Sequence, residues 1–166
     1  KTGVLDDESL FALFEDGTLT AAPGSVIARC VRYKAGVVER DEKEQGERKL
    51  LNLGHTVGHA IEKCSGYTIP HGHAVAAGLA IIARSAENLG WTEGPIAARI
   101  AACLAKNGLP TGTEYSAEAL AEAALADKKR AGGDITLVIP QRIGACTLKK
   151  IPVTELLPVI RAGLEG

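Results

Sequence analysis

Residues 47–64 read ERKLLNLGHTVGHAIEKC, and this stretch decides the fold. At about 100° per residue, Asn52, His55, His59 and Glu62 all fall within about 40° of Arg48. Leu50, Leu53, Val57 and Ile61 gather on the opposite side. The spacing predicts one amphipathic helix over 47–64, with a core face and an opposing face of Arg, Asn, His, His and Glu. A solvated face usually draws on Lys, Glu, Gln and Ser, so this stripe is a candidate site. The plainer alternative is an ordinary amphipathic helix with incidental histidines. Gly54 and Gly58 share a third side. Each costs a helix about 1 kcal/mol relative to Ala, which close packing or backbone access must offset.

Working outward, the pattern is helical almost everywhere. Residues 5–15 predict a short helix with acids at its positive end, stopped by Gly17. Val26, Ile27, Cys30, Val31 and Val37 give 24–39 a helical spacing, and DEKEQGER (41–48) reads as a charged turn. After the loop SGYTIPHG, residues 73–89 form a strongly apolar helix ending at Gly90. A helix over 95–106 carries Ile96, Ile100, Cys103 and Leu104 on one face and stops at Asn107-Gly108. Ser116 can cap a helix over 117–129. DITLVIP and CTLKKIP flank a Gly-containing turn and read as a hairpin, followed by a last helix over 154–163. The expected fold is mainly α: a multi-helical bundle with one short β-hairpin near the C-terminus.

Composition narrows the function. The 166 residues are 46% apolar and 23% charged, with net charge −1. That excludes intrinsic disorder and argues against nucleic-acid binding. The longest near-apolar run, 74–83, is half the ~20 residues of a membrane span. Cys30, Cys64, Cys103 and Cys146 are widely spaced without a CxxC pair, as expected of reduced thiols in a cytoplasmic protein. The chain contains no Met and opens at Lys1 directly into a helical pattern, so it is expected to be a piece of a longer protein.

His55, His59, His71 and His73 are the chain's histidines, and all lie at or near the turn after residue 64. Neutral imidazole is a common zinc ligand, and catalytic zinc takes three protein ligands and keeps one open position. His55 and His59 have the i, i+4 spacing of zinc proteases, but Thr56 stands where that motif needs Glu. Spacing alone leaves open which two histidines would bind metal.

LNLGHTVGHAIE (51–62) followed by HGHAVAAGLA (71–80) resembles the 3-dehydroquinate synthase family. KAGVVERDEKEQGERKLLNLGHTVGHAIE (34–62) is similar to its signature block without a gap. ADKKRAGGDITLVIPQRIG (126–144) resembles its Asp-Lys-Lys block, and KTGVLDDESLFALFE (1–15) the opening of its helical domain. The resemblance implies that residues 1–166 are the C-terminal helical, metal- and substrate-binding half of a two-domain enzyme. The Rossmann-like NAD-binding half would lie outside the chain, as would a metal-binding glutamate three residues before Lys1. The implied reaction converts 3-deoxy-D-arabino-heptulosonate 7-phosphate to 3-dehydroquinate and phosphate in the shikimate pathway. It is a carbon–oxygen lyase reaction using NAD and Zn2+, Co2+ or another divalent metal. The partners implied are a sugar phosphate and a second copy of the full-length protein, with no nucleic acid and no membrane.

Carried over by position, His55 and His71 resemble the family's metal ligands. Arg48 and Lys34 resemble cations for the substrate carboxylate. Asn52 and His59 resemble polar contacts to substrate, with His59 the candidate for proton transfer. Glu44 and Lys1 match a site glutamate and a site lysine. Lys128 and Lys129 together mark the phosphate side, with the choice between them open. The family's His-Gly-Glu is here His71-Gly72-His73. That departure keeps a related sugar-phosphate cyclase in view, and a metal-dependent alcohol dehydrogenase is more distant. The alternative of another class is a non-catalytic helical metal-binding or interaction module.

Overall fold

The computed structural model describes residues 1–17, 23–126 and 133–165. The helices are α1 (Thr2–Leu5), α2 (Glu8–Asp16), α3 (Pro23–Arg40), α4 (His55–Cys64), α5 (His71–Asn88), α6 (Ala97–Lys106), α7 (Ala117–Leu125) and α8 (Leu156–Leu164). Short 3-10 helices cover Glu47–Asn52 and Val153–Glu155. Strands β1 (Asp134–Arg142) and β2 (Ala145–Pro152) pair antiparallel, with Ile135 opposite Ile151 and Ile139 opposite Thr147. The register is irregular between Pro140 and Arg142, where a residue without an N–H suits a broken ladder.

α5 is the central post. From Ala74 to Ala86 only Arg84 is not buried. Most of these residues are Ala, Gly, Leu or Ile, so neighbouring helices can approach from several sides. α4 and α8 lie closest. A Cβ on Gly78 would sit 2.3 Å from the Gly54 carbonyl oxygen, and one on Gly163 would sit 2.2 Å from that of Ile81. Ser85, the buried polar side chain of this helix, donates to the Ile81 carbonyl. Arg84 ties the layers together through the carbonyls of Gly163 (2.7 Å) and Thr111 (2.9 Å).

The expected helix stops hold. Gly17 at φ 74° caps α2, and Gly90 and Gly108 take φ 69° and 71° just after α5 and α6. Ser116 Oγ accepts from the Ala119 N–H at the start of α7. No helix among the described residues is long and apolar enough to cross a membrane.

The expectation of one helix over 47–64 needs correction. The chain runs as a 3-10 turn to Asn52, extends at Leu53 (ψ 123°), turns left-handed at Gly54 (φ 79°), and starts α4 at His55. The cause is tertiary. At Gly54 a Cβ would meet the Val75 carbonyl oxygen at 2.8 Å. The αL turn, available to glycine, redirects the chain along α5. α5 also begins at His71, two residues before the sequence expectation, with Pro70 at its N-cap.

Candidate active site

The turn between α3 and the 3-10 helix is built around Asp41. Its Oδ1 accepts from the Gln45 N–H (2.9 Å), and its Oδ2 accepts from those of Gly46 (2.8 Å) and Arg48 (2.9 Å). Arg40 and Glu47 close the base of the turn with a paired contact of 2.6 and 2.9 Å. Glu44 sits in the left-handed region at φ 55°, a conformation a non-glycine residue holds only when its surroundings impose it. There its Oε1 accepts from Asn52 Nδ2 at 2.7 Å. The Arg48 guanidinium donates back to the Glu42 carbonyl. Asp41 was absent from the sequence-derived residues; the available signal was an acid just after a helix, three residues before Glu44.

The three backbone N–H groups of Arg48, Gln45 and Gly46 hold the Asp41 carboxyl below its usual value of 3.8. The sign follows directly: the turn keeps the full benefit above that ordinary value and loses it as pH falls through the lower folded value. Asp41→Asn removes one acceptor oxygen and is expected to displace Arg48 and Glu44. In the full-length protein, kcat/KM should fall by roughly 10- to 10²-fold through misplacement, while metal affinity is retained. Steady-state kinetics beside a metal titration checks this.

A cavity of about 350 Å³ is lined by Lys1, Lys34, Glu44, Arg48, Asn52 and His55, together with Thr2, Leu5, Cys30, Tyr33 and Leu51. Its wall carries three cations and one carboxylate, a setting for an anionic ligand. Lys1 Nζ donates to the Leu51 carbonyl at 2.8 Å. Burial, then the nearby Lys34 charge, lowers its pKa. A second cavity of about 510 Å³ adjoins the first and shares Asn52 and His55 with it. Its wall adds His59, Glu62, Lys63 and Tyr67. The stripe of the straight-helix reading thus occupies two adjoining cavities, because the break at Leu53-Gly54 turns Asn52 and His55 toward both. Lys128 and Lys129 lie outside the described residues.

His55, His59 and His71 form a triangle, with ring centroids 5.4, 5.4 and 5.8 Å apart. The His55–His71 and His55–His59 rings are equally spaced, so centroid distance alone does not choose the pair. Two imidazoles bound at 2.0–2.1 Å to one tetrahedral ion have centroids roughly 5 Å apart, and these rings lie at 5.4 Å. His55 Nδ1 also lies 3.1 Å from the Leu53 carbonyl oxygen. A carbonyl only accepts, so Nδ1 carries the hydrogen and Nε2 is left with its lone pair. Burial lowers the His55 pKa, with smaller contributions from Lys1, His59 and His71, which favours the neutral, ligating form. Zinc or cobalt suits such nitrogen donors.

The model of the family described as 3-dehydroquinate synthase C-terminal matches residues 1–130. The chain belongs to the 3-dehydroquinate synthase family. It is 43% identical over 136 residues to the 3-dehydroquinate synthase of Pyrococcus abyssi, covering 81% of this chain and 40% of that protein. The Thermococcus kodakarensis 3-dehydroquinate synthase is 42% identical over 139 residues, with 83% and 40% covered. The chain thus spans about two fifths of the length of these relatives.

Among solved structures, the fold matches 2-epi-5-epi-valiolone synthase of Streptomyces hygroscopicus, which has NAD+ and Zn2+ bound. The TM-score is 0.80 at 21% identity, over 98% of this chain and 48% of that one. It also matches 2-deoxy-scyllo-inosose synthase complexed with carbaglucose-6-phosphate, NAD+ and Co2+. There the TM-score is 0.69 at 22% identity, over 85% and 41% of the two chains. At these identities the two establish a shared fold. In this member of the 3-dehydroquinate synthase family, every sequence-derived site residue within the described part lies at the two cavities or the histidine triangle.

Proposed function

We propose that the chain is the metal- and substrate-binding half of a 3-dehydroquinate synthase whose NAD-binding half is supplied by sequence outside these residues. One observation supports this reading. Lys1, Lys34, Glu44, Arg48 and Asn52 line the same cavity as His55, whose ring lies 5.4 Å from those of both His59 and His71. The substrate of this reaction carries a carboxylate and a phosphate, and a wall of fixed cations meets that demand. Arg48 and Lys34 hold the carboxylate, with Arg48 fixed by the Asp41 turn. Asn52, braced by Glu44, orients the ring hydroxyls. His55 and His71 hold the metal through Nε2. When bound, the metal polarises the hydroxyl that NAD oxidises. His59 opens into the adjoining cavity with a 62% exposed side chain and moves the proton as phosphate leaves. Lys128 and Lys129 serve the phosphate side. The family resemblance also supports a cytoplasmic homodimer.

The test is phosphate release by the full-length protein from 3-deoxy-D-arabino-heptulosonate 7-phosphate, with NAD and zinc. Turnover of that substrate, and little of a heptulose phosphate lacking the carboxylate, is the expected result. The opposite preference identifies a different sugar-phosphate cyclase. Turnover of neither supports the non-catalytic module.

A further inference from the structure

We infer that Glu62 is the positioning residue for His71: its carboxylate accepts the Nδ1 hydrogen of that ring and points Nε2 toward His55. The inference rests on the metal-site reading above and adds a residue that reading does not use.

Glu62 lies in the last turn of α4, and His71 is the first residue of α5. Six residues of loop separate the two helices, and the Glu62 side chain spans that gap. Its Oε1 lies 3.1 Å from His71 Nδ1, and its Oε2 lies 4.0 Å from His59 Nε2. The first is a hydrogen-bond distance and the second is not. The Glu62 main chain is itself anchored, because its carbonyl accepts from the Tyr67 N–H at 2.7 Å and from Ser65 Oγ at 2.8 Å. Tyr67 takes φ 63° to reach it.

Exposure separates Glu62 from its neighbours. Its side chain is 14% exposed, against 62% for His59 and 57% for His71. A carboxylate withdrawn from water needs a fixed partner, and among the described residues His71 Nδ1 is the one within bonding distance. The result parallels His55, whose Nδ1 lies 3.1 Å from the Leu53 carbonyl oxygen. Among the described residues both rings therefore have Nδ1 engaged and no hydrogen bond at Nε2, the arrangement by which metal-binding histidines are usually fixed in tautomer and orientation.

A competing assignment uses the same atoms. His59, Glu62 and His71 offer ligand atoms within 4.8 Å of one another, a set that could hold an ion directly. It is disfavoured because the Glu62 oxygen nearest His71 faces Nδ1, the nitrogen that the hydrogen bond occupies. As a direct ligand that keeps this bond, Glu62 would have to reach the ion through Oε2 alone.

The experiment measures Zn2+ affinity by chelator competition, and the visible spectrum of the Co2+ form, for the full-length protein and for Glu62→Ala and Glu62→Gln. Glu62→Ala should weaken Zn2+ binding by roughly 10- to 100-fold. Glu62→Gln, whose side-chain oxygen still accepts from Nδ1, should recover most of that loss. Both should keep the wild-type Co2+ band positions, since no ligand is removed. Two outcomes overturn the inference. If Gln loses as much as Ala and the Co2+ bands shift, Glu62 is itself a ligand. If Ala lowers the unfolding temperature but leaves Zn2+ affinity unchanged, Glu62 is only a helix-end brace. A wild-type protein that takes up neither metal overturns the metal-site reading as well, so the two failures are distinguishable.

Discussion

Gly78→Ala is expected to lower the unfolding free energy by about 3 kcal/mol, the upper range for an added methyl in a packed core. The new Cβ would lie 2.3 Å from the Gly54 carbonyl oxygen and 2.7 Å from the Gly58 nitrogen. Those two atoms form a backbone hydrogen bond at the start of α4, at 2.9 Å. Neither can rotate away as a side chain could. Relief requires shifting the start of α4, and His55 begins that helix, so metal affinity should fall along with stability. Gly72→Ala is the control. Its Cβ meets no described atom within 4 Å, and Gly72 is in the first turn of α5 without a positive φ. It should gain a few tenths to about 1 kcal/mol, as Gly to Ala does in an exposed helix. Urea unfolding of both variants should show shifts of opposite sign. A Gly78→Ala protein as stable as the parent would mean that α4 and α5 do not pack at this distance.

His55→Ala is expected to cost the full-length protein more than 10²-fold in Zn2+ affinity, and its activity with it. Zinc sites with four protein ligands bind with about 10–16 kcal/mol, so one ligand is worth roughly 3 kcal/mol. His59→Ala should behave differently, although its ring lies only 5.4 Å from that of His55. Zn2+ affinity should hold, while kcat falls by roughly 10² to 10⁴ through loss of proton transfer. Metal titration beside steady-state kinetics separates the two. Equal losses of affinity in both variants would make His59 a ligand.

The residues that bound the elements were legible in the sequence because they act locally. Gly17, Gly90 and Gly108 end helices by adopting positive φ, and Ser116 caps α7 with its own side chain. The hairpin followed from two apolar runs around a glycine. The break at Leu53-Gly54 was not legible. Gly54 at that position reads the same in a helical pattern whether it is helical or left-handed, and its conformation is imposed by Val75 and Gly78, more than twenty residues away. That residues of the 34–62 block gather at the two cavities was legible from motif and wheel angle. The supports were not. Asp41 acts through backbone N–H groups that no periodicity marks. Glu62 stood on the stripe, but its partner is set only when the loop returns His71 to it.

The central claim is that this chain holds half of a metal site, with His55 and His71 as its share. A crystal structure of the full-length protein with NAD and zinc, phased at the zinc edge, tests it most directly. The account predicts an anomalous peak within about 2.0–2.1 Å of Nε2 of both His55 and His71, with the third protein ligand a carboxylate from outside these 166 residues. A peak held by His59, Glu62 and His71, or a third ligand from within the chain, would contradict it.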